Sequence, residues 1–406
     1  MDLHVNPARL WESIEILAEE GATPEGGVCR LALSDADKLG RDRVVKCMSE
    51  LGLQVQIDRV GNLLGLRPGM EDLPPLLFGS HVDTVNTGGR FDGAYGVLSA
   101  LEVLRVLEEN RVATRRPLMM AAFTNEEGAR YTTDMMGSQA FCGELSVEEI
   151  YAIRGLDGSL VGEELQRIGY AGDFPCGGIR PHAYLELHIE QGPVLEREDV
   201  TIGVVEAITG LSWQEVTVRG RASHAGTTPM DSRADAALAA ARILAALPGL
   251  AAGIPGQKAT CGIFGLKPGA VNVIPHEALF TVDLRNTDEA RLQDSERMLA
   301  GLVQQTASAA GCTAEVRTLG HVPPAACDPQ VLRRIEAAAG ELGHSWRRMT
   351  SGAGHDAQIL SRICPTGMIF IPSRDGLSHS PYEYSSPEDV AAGADVLLRS
   401  VLALSD

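Results

Sequence analysis

The chain has 406 residues, more than one hydrophobic core usually serves, so two domains are expected. Its formal net charge of −19 excludes a phosphate-backbone binder, which needs clustered Lys and Arg. A hydrophobic share of 44%, with no apolar run near the roughly 20 residues that cross a bilayer, marks a soluble globular protein.

The first twenty residues have neither a basic start nor a continuous apolar core, so they are not read as a secretory signal. They predict an amphipathic helix: Asn6 can cap it, Pro7 suits the first turn, and Leu10, Ile14 and Leu17 share a face. Residues 75–80 (PLLFGS) and 118–123 (LMMAAF) are short apolar runs ending in polar strings. Between them Val97, Leu101 and Leu104 recur at helical spacing, and Leu98 and Leu107 widen the stripe. This strand–helix–strand unit predicts an α/β fold with a mainly parallel sheet and helices on both faces, where ligands collect beyond the carboxyl ends of strands. Near Thr209 the pattern changes. Residues 214–220 (QEVTVRG) alternate, an Ala-rich helix is expected over 231–247, and further strands around 259–265 and 278–285. That predicts an inserted α+β open-sheet domain over 211–322, interrupting a catalytic domain of 1–210 and 323–406. The eight cysteines are scattered without a Cys-x-x-Cys, as expected of reduced thiols in a cytoplasmic protein.

Four strings carry acids and histidines: GSHVDTVNTGGRFDG (79–93), FTNEEGARY (123–131), LHIEQGPVLE (187–196) and DGLSHSPYE (375–383). His-x-Asp after an apolar strand puts His81 and Asp83 on the same side, so His81 can bind a metal while Asp83 orients it or tunes its basicity. Asp92, at the next helix start, can bridge two cations with its two oxygens. Glu126 and Glu127 are adjacent in extended chain and point opposite ways. A division of labour follows, with Glu127 on metal and Glu126 free to move a proton. Each motif alone has a plain reading: a surface turn for HVD, a solvated pair for the glutamates, a core histidine for His188, a loop histidine for His379. Three histidines and two carboxylates at strand ends together match two divalent ions, zinc, manganese, cobalt or nickel, sharing Asp92. Competing signatures are weak. There is no Gly-x-Ser-x-Gly, phosphate loop or His-Glu-x-x-His, and residues 352–357 (GAGHDA) fit a dinucleotide loop only loosely, after a poor buried strand (SWRRMTS).

From about Trp11 to Leu402 the motifs and their order resemble the M20 metallopeptidase superfamily, in its branch of N-carbamoyl-L-amino-acid hydrolases, β-ureidopropionases and allantoate amidohydrolases. The resemblance implies His81, bridging Asp92, Glu127, His188 and His379 as ligands, Glu126 as general base, and a homodimer formed through the insert, a dimerisation (lid) domain. It implies that His224 (in RASHAGTTP) reaches into the neighbouring subunit's site to stabilise an oxyanion. Asn272 (PGAVNVIP) and Arg285 (FTVDLRN) would hold the substrate carboxylate, and Gln191 would contact the ureido group. Alternation agrees for Arg285, which falls on the face opposite Phe280, Val282 and Leu284, although a structural salt bridge is its competing role. Tyr131 stands where the family usually has Phe, putting a hydroxyl near the pocket. GPVLE, ITGLSW and SHSPYE look more like the L-carbamoylases than the allantoate enzymes, and His188 disfavours a dipeptidase or aminoacylase, which would have a carboxylate there.

Overall fold

The structure, a computed structural model, describes residues 3–406. The chain forms two compact units, one made of the chain up to Glu206 together with Ala326–Asp406, the other of Ala207–Ala325.

The first unit is built on a nine-stranded sheet. Its four central strands, in the order Leu118–Phe123, Leu76–His81, Ala183–Ile189 and Thr366–Ile371, are parallel and buried along their whole length. Antiparallel strands flank them, Leu63–Arg67 on one side and Ile202–Ile208 on the other. Continuous apolar runs of this kind are what a sheet covered on both faces requires. Leu187 and Ile371 meet Gly393 of the last helix, Pro387–Ser405, while Glu186, one residue before Leu187, accepts from the amide of Ala357 in the helix Asp356–Leu360. Alternation thus gives one face to apolar packing and the other to polar side chains. The N-terminal helix runs Pro7–Ala18 as expected, with the Asn6 carboxamide accepting from Arg9 N and Leu10, Ile14 and Leu17 buried. The stretch SWRRMTS does form a strand, Trp346–Ser351, paired with Ile202–Ile208 but left half in solvent.

The second unit is a five-stranded antiparallel sheet around Glu277–Asn286 and Gly210–Arg219. Val216, Val218, Phe280, Val282 and Leu284 lie on one face, packed with Ile243, Leu247, Leu292, Leu299 and Val303 from the helices Ala236–Ala252 and Glu289–Ala309. Burying such side chains contributes about 1.5–3 kcal/mol each. Residues 277, 279, 281, 283 and 285 alternate onto the other, less buried face. The Ala-rich helix begins at Ala236 rather than near 231, because Asp235 caps it through Leu238 N and a 3-10 turn occupies Met230–Ser232. Among the described residues no helix is long and apolar enough to cross a membrane.

Candidate metal centre

Every residue of the first unit singled out for metal or proton chemistry sits at or just past the carboxyl end of a central strand or at a helix start. His81 ends Leu76–His81, Glu126 and Glu127 follow Leu118–Phe123, His188 is next to last in Ala183–Ile189, and His379 follows Thr366–Ile371. Asp92 precedes the helix Ala94–Glu109. The residue between them, Gly93, has φ 63°, and a Cβ there would lie 2.3 Å from the His81 ring. Only glycine fits. Asn125, Gln191 and His379 adopt the same left-handed backbone at φ 55°, 57° and 52°, a conformation that costs on the order of 1 kcal/mol or more per residue.

The side chains form two trios that share Asp92. In one, His188 Nε2 is 3.1 Å and His81 Nε2 is 3.7 Å from Asp92 Oδ1. In the other, His379 Nε2 is 3.3 Å from Asp92 Oδ2 and 3.3 Å from Glu127 Oε2. The two carboxylate oxygens therefore face different partners, as a bridging ligand must. His81 and His188 are oriented by their other nitrogen: Nδ1 lies 2.9 Å from the carbonyls of Asp83 and Ile189 respectively, which turns each Nε2 toward Asp92, that of His188 also accepting from the Gly93 amide at 3.1 Å. Asp83 thus holds His81 through its backbone. Its carboxylate does something else, accepting from the amides of Glu126 (3.2 Å) and Glu127 (3.3 Å) and fixing the turn that carries them. Glu126 Oε2 lies 3.5 Å from His81 Nε2, while Glu127 Oε2 lies in the other trio, 3.3 Å from His379 Nε2.

Electrostatics argue that the site is short of positive charge. Burial, then Asp356, Glu127 and Asp92, push the Glu126 carboxyl well above the usual range, and burial with Asp37 and Glu127 raises Asp83 to about 7. Burial opposes charge on His188, yet Asp92 outweighs it and raises the imidazole to about 9. Asp92, then Glu127, raise His379 to about 11. His81, with burial dominant, falls to about 4. The upward shifts of His188 and His379 mark a place that favours positive charge between the histidines and the acids, and the buried Glu127 Oε1 has no hydrogen-bond partner among the described residues. Imidazole nitrogens and carboxylate oxygens at hand fit borderline divalent ions.

A model of the peptidase family M20/M25/M40 matches residues 77–403. The chain belongs to this family. It is 41% identical over 400 residues, 98% of its length and 96% of the relative's, to an N-carbamoyl-L-amino-acid amidohydrolase of Rhizobium meliloti. A ureidoglycolate hydrolase of Arabidopsis thaliana is 37% identical, covering 99% of this chain and 87% of its own. The crystal structure of an amidase of the hydantoinase/carbamoylase family from Burkholderia multivorans superposes with a TM-score of 0.95 at 43% identity, covering 100% and 99% of the two chains.

The remaining candidates of this M20 chain divide between the units. Gln191 does not stand free: its Nε2 donates to Asp92 Oδ2 (2.8 Å) and Ser378 Oγ (3.1 Å), while Oε1 is buried with no hydrogen-bond partner among the described residues. In the second unit, His224 is exposed on the two-residue strand Ser223–His224, opposite Val273. The amides of Gly226 (3.0 Å) and Thr227 (3.2 Å) donate to its Nδ1, so the ring proton belongs on Nε2. Asn272 adjoins it, its carbonyl accepting from Ala225 N. Arg285 lies on the face opposite Phe280 as expected, and its guanidinium donates to the Asp283 carboxylate at 3.1–3.2 Å. The Tyr131 hydroxyl is buried against Ser159 Oγ (3.1 Å). The sequence reading missed three buried groups around the metal site. His355 packs edge-on against His188 with ring centroids 4.6 Å apart, Asp356 follows it, and Glu383 accepts from the amides of Phe91 and Asp92. The first two lay in GAGHDA, set aside as a failed nucleotide loop; a His-Asp pair in an otherwise small-residue run was the available signal. Glu383 closed a quoted string but had no neighbour in sequence to mark it.

Proposed function

We propose that this chain hydrolyses the carbamoyl amide of N-carbamoyl-L-amino acids, consuming one water and releasing the L-amino acid, ammonia and carbon dioxide. The observation that carries the reading is the shared carboxylate of Asp92, one oxygen toward His81 and His188 and the other toward Glu127 and His379, in a chain with an N-carbamoyl-L-amino-acid amidohydrolase as a relative over its full length. These trios would hold two divalent ions, zinc, manganese, cobalt or nickel. When bound, they supply electrophilic charge for the substrate oxygen and make water nucleophilic near neutral pH.

The chain's own groups do the rest. Glu126, which burial and neighbouring acids make a strong proton acceptor, takes the proton of the attacking water and returns it to the leaving nitrogen. Gln191, fixed through Nε2, offers its unpartnered Oε1 to the carbamoyl N–H. The second unit acts as the dimerisation domain. Its strand Phe264–Lys267 is exposed at all four residues and among the described residues pairs with Glu277–Asn286 alone, an edge suited to pairing with a second copy. His224, held in the tautomer that donates from Nε2, stabilises the oxyanion in the neighbouring subunit, and Asn272 and Arg285 bind the substrate carboxylate; for Arg285 the substrate replaces Asp283. Eight free cysteines suit a reducing, cytoplasmic setting.

The ureidoglycolate hydrolase relative favours a second reading, hydrolysis of another ureido acid, which allantoate or N-carbamoyl-β-alanine also represent. Ammonia release from a panel of N-carbamoyl-L-amino acids, N-carbamoyl-β-alanine, allantoate and ureidoglycolate, with manganese-, zinc- or cobalt-loaded protein, separates the two. Glu126→Gln is expected to keep its metal content and lose about 10²–10⁴-fold in kcat; unchanged ammonia release in that variant sinks the mechanism.

A further inference from the structure

Glu383 takes no part in the chemistry above, yet it is 4% exposed and all its bonds lead to the bridging carboxylate. Its Oε1 accepts from the amides of Phe91 (3.0 Å) and Asp92 (3.1 Å). Its Oε2 accepts from Ser378 Oγ (2.8 Å), the residue before His379. Room for it is made by Gly89, where a Cβ would lie 2.3 Å from Oε1. Ser378 has one hydroxyl proton and a second carboxylate within reach, Asp92 Oδ2 at 3.2 Å, while its oxygen accepts from Gln191 Nε2. The proton can go to one acid or the other, and Asp92 Oδ2 is the oxygen that faces Glu127 and His379.

We propose that Glu383 is a positioning residue that keeps the Ser378 proton off Asp92, so that the Oδ2 lone pair not taken by Gln191 Nε2 (2.8 Å) stays free for the cation shared with Glu127 and His379. The idea rests on the two-cation reading of the site. It assigns Glu383 two tasks: fixing the Asp92 backbone, and outcompeting Asp92 for a hydroxyl proton. Charge decides the competition, because a carboxylate with two lone-pair sites at 2.8 Å is the better acceptor once Asp92 gives its own electrons to a metal.

The substitution Glu383→Gln reverses the hydroxyl. The amides of Phe91 and Asp92 require the carboxamide oxygen on their side, so the NH2 faces Ser378 and donates to it. With Gln191 donating as well, the serine proton has only Asp92 left. Manganese(II) titrated into the metal-free full-length chain, with free ion counted by its EPR signal, reads the outcome. Two ions are expected on the wild type, and in Glu383→Gln one of them weakens by about 10- to 100-fold. Adding Ser378→Ala to that variant removes the misdirected proton and restores most of the lost affinity, a rescue that a mere packing defect does not show. Ser378→Ala alone stays within about threefold of wild type, because it takes a competitor from Asp92. Wild-type affinity in Glu383→Gln, or a double variant no tighter than it, overturns the proposal. A tenfold loss in Ser378→Ala alone does so too. A wild-type chain that takes up no manganese overturns the two-cation reading instead.

Discussion

The two units hold their functional side chains by opposite means. In the first, His81, Asp92 and His188 are at most 4% exposed, and backbone groups pin what the ligand atoms leave over: carbonyls of Asp83 and Ile189 on the histidines, the Asp83 carboxylate on the amides of both glutamates. In the second, His224 and Asn272 lie in solvent on a two-stranded turn, and Arg285 is occupied by Asp283. One region is preorganised and charged before any ligand arrives. The other has donors that must exchange an internal partner or water for a ligand. Under the proposed function, the contrast makes metal chemistry and substrate choice separable, because they depend on differently built parts.

The sharpest way to break that contrast is Asp92→Asn, which removes a charge that both trios use. Metal content measured by mass spectrometry is expected to fall at both positions, and turnover by about 10³-fold or more; loss of a single ion would show that the carboxylate does not bridge. His224→Ala tests the other region. About 3–4 kcal/mol of transition-state stabilisation, 10²–10³-fold in kcat, is expected to go while manganese binding is untouched. A drop in metal content in that variant contradicts the separation.

Burial of acids in the first unit sets a smaller, global effect. Asp58 accepts from Val60, Asn62 and the Asn62 carboxamide, which in turn accepts from Thr124 N, two residues before Glu126. Burial raises Asp58 to about 6 from 3.8. The folded state therefore binds more protons than the unfolded one between those values, so this contribution is full below about pH 4 and is lost as pH rises through 6. Urea unfolding of the metal-free chain should show it as about 3 kcal/mol, and Asp58→Asn should flatten that part of the profile. An identical slope in the variant assigns the effect elsewhere. Least of all, Tyr131→Phe removes a buried hydroxyl bonded to Ser159 and is expected to lower stability by about 1 kcal/mol with kcat/KM unchanged. A change in substrate preference would bring that hydroxyl back to the pocket.

What could be read from the sequence follows the same divide. The strand–helix–strand unit and the strings at its strand ends were legible because period two and period 3.6 are local, and alternation alone set Glu126 and Glu127 pointing opposite ways. His188 needed the conjunction, since one histidine in an apolar strand has a simpler explanation. His224, Asn272 and Arg285 could be named only through resemblance: an exposed turn histidine carries no periodic signal, and the tautomer that gives His224 its donor depends on the fold of residues 224–227. Glu383 and the carboxylate of Asp83 were out of reach, as their bonds span 291 and 43 residues. GAGHDA shows the opposite failure, where matching a glycine pattern drew the eye from the histidine inside it.

The left-handed residues at Asn125, Gln191 and His379 have a consequence for anyone selecting sturdier variants of this chain. Glycine would relieve the strain at each, but only by giving up what the side chain holds: Asn125 donates to the carbonyls of Tyr131 and Thr133, Gln191 to Asp92 and Ser378, and His379 lies against Asp92 and Glu127. A screen that rewards only survival on heating is blind to what these side chains do beside Glu126 and Asp92, and it accepts any exchange whose relief of strain outweighs the lost bonds. Sturdiness gained there comes at the expense of turnover, so heat resistance alone is a poor guide to improving this enzyme; both must be scored together.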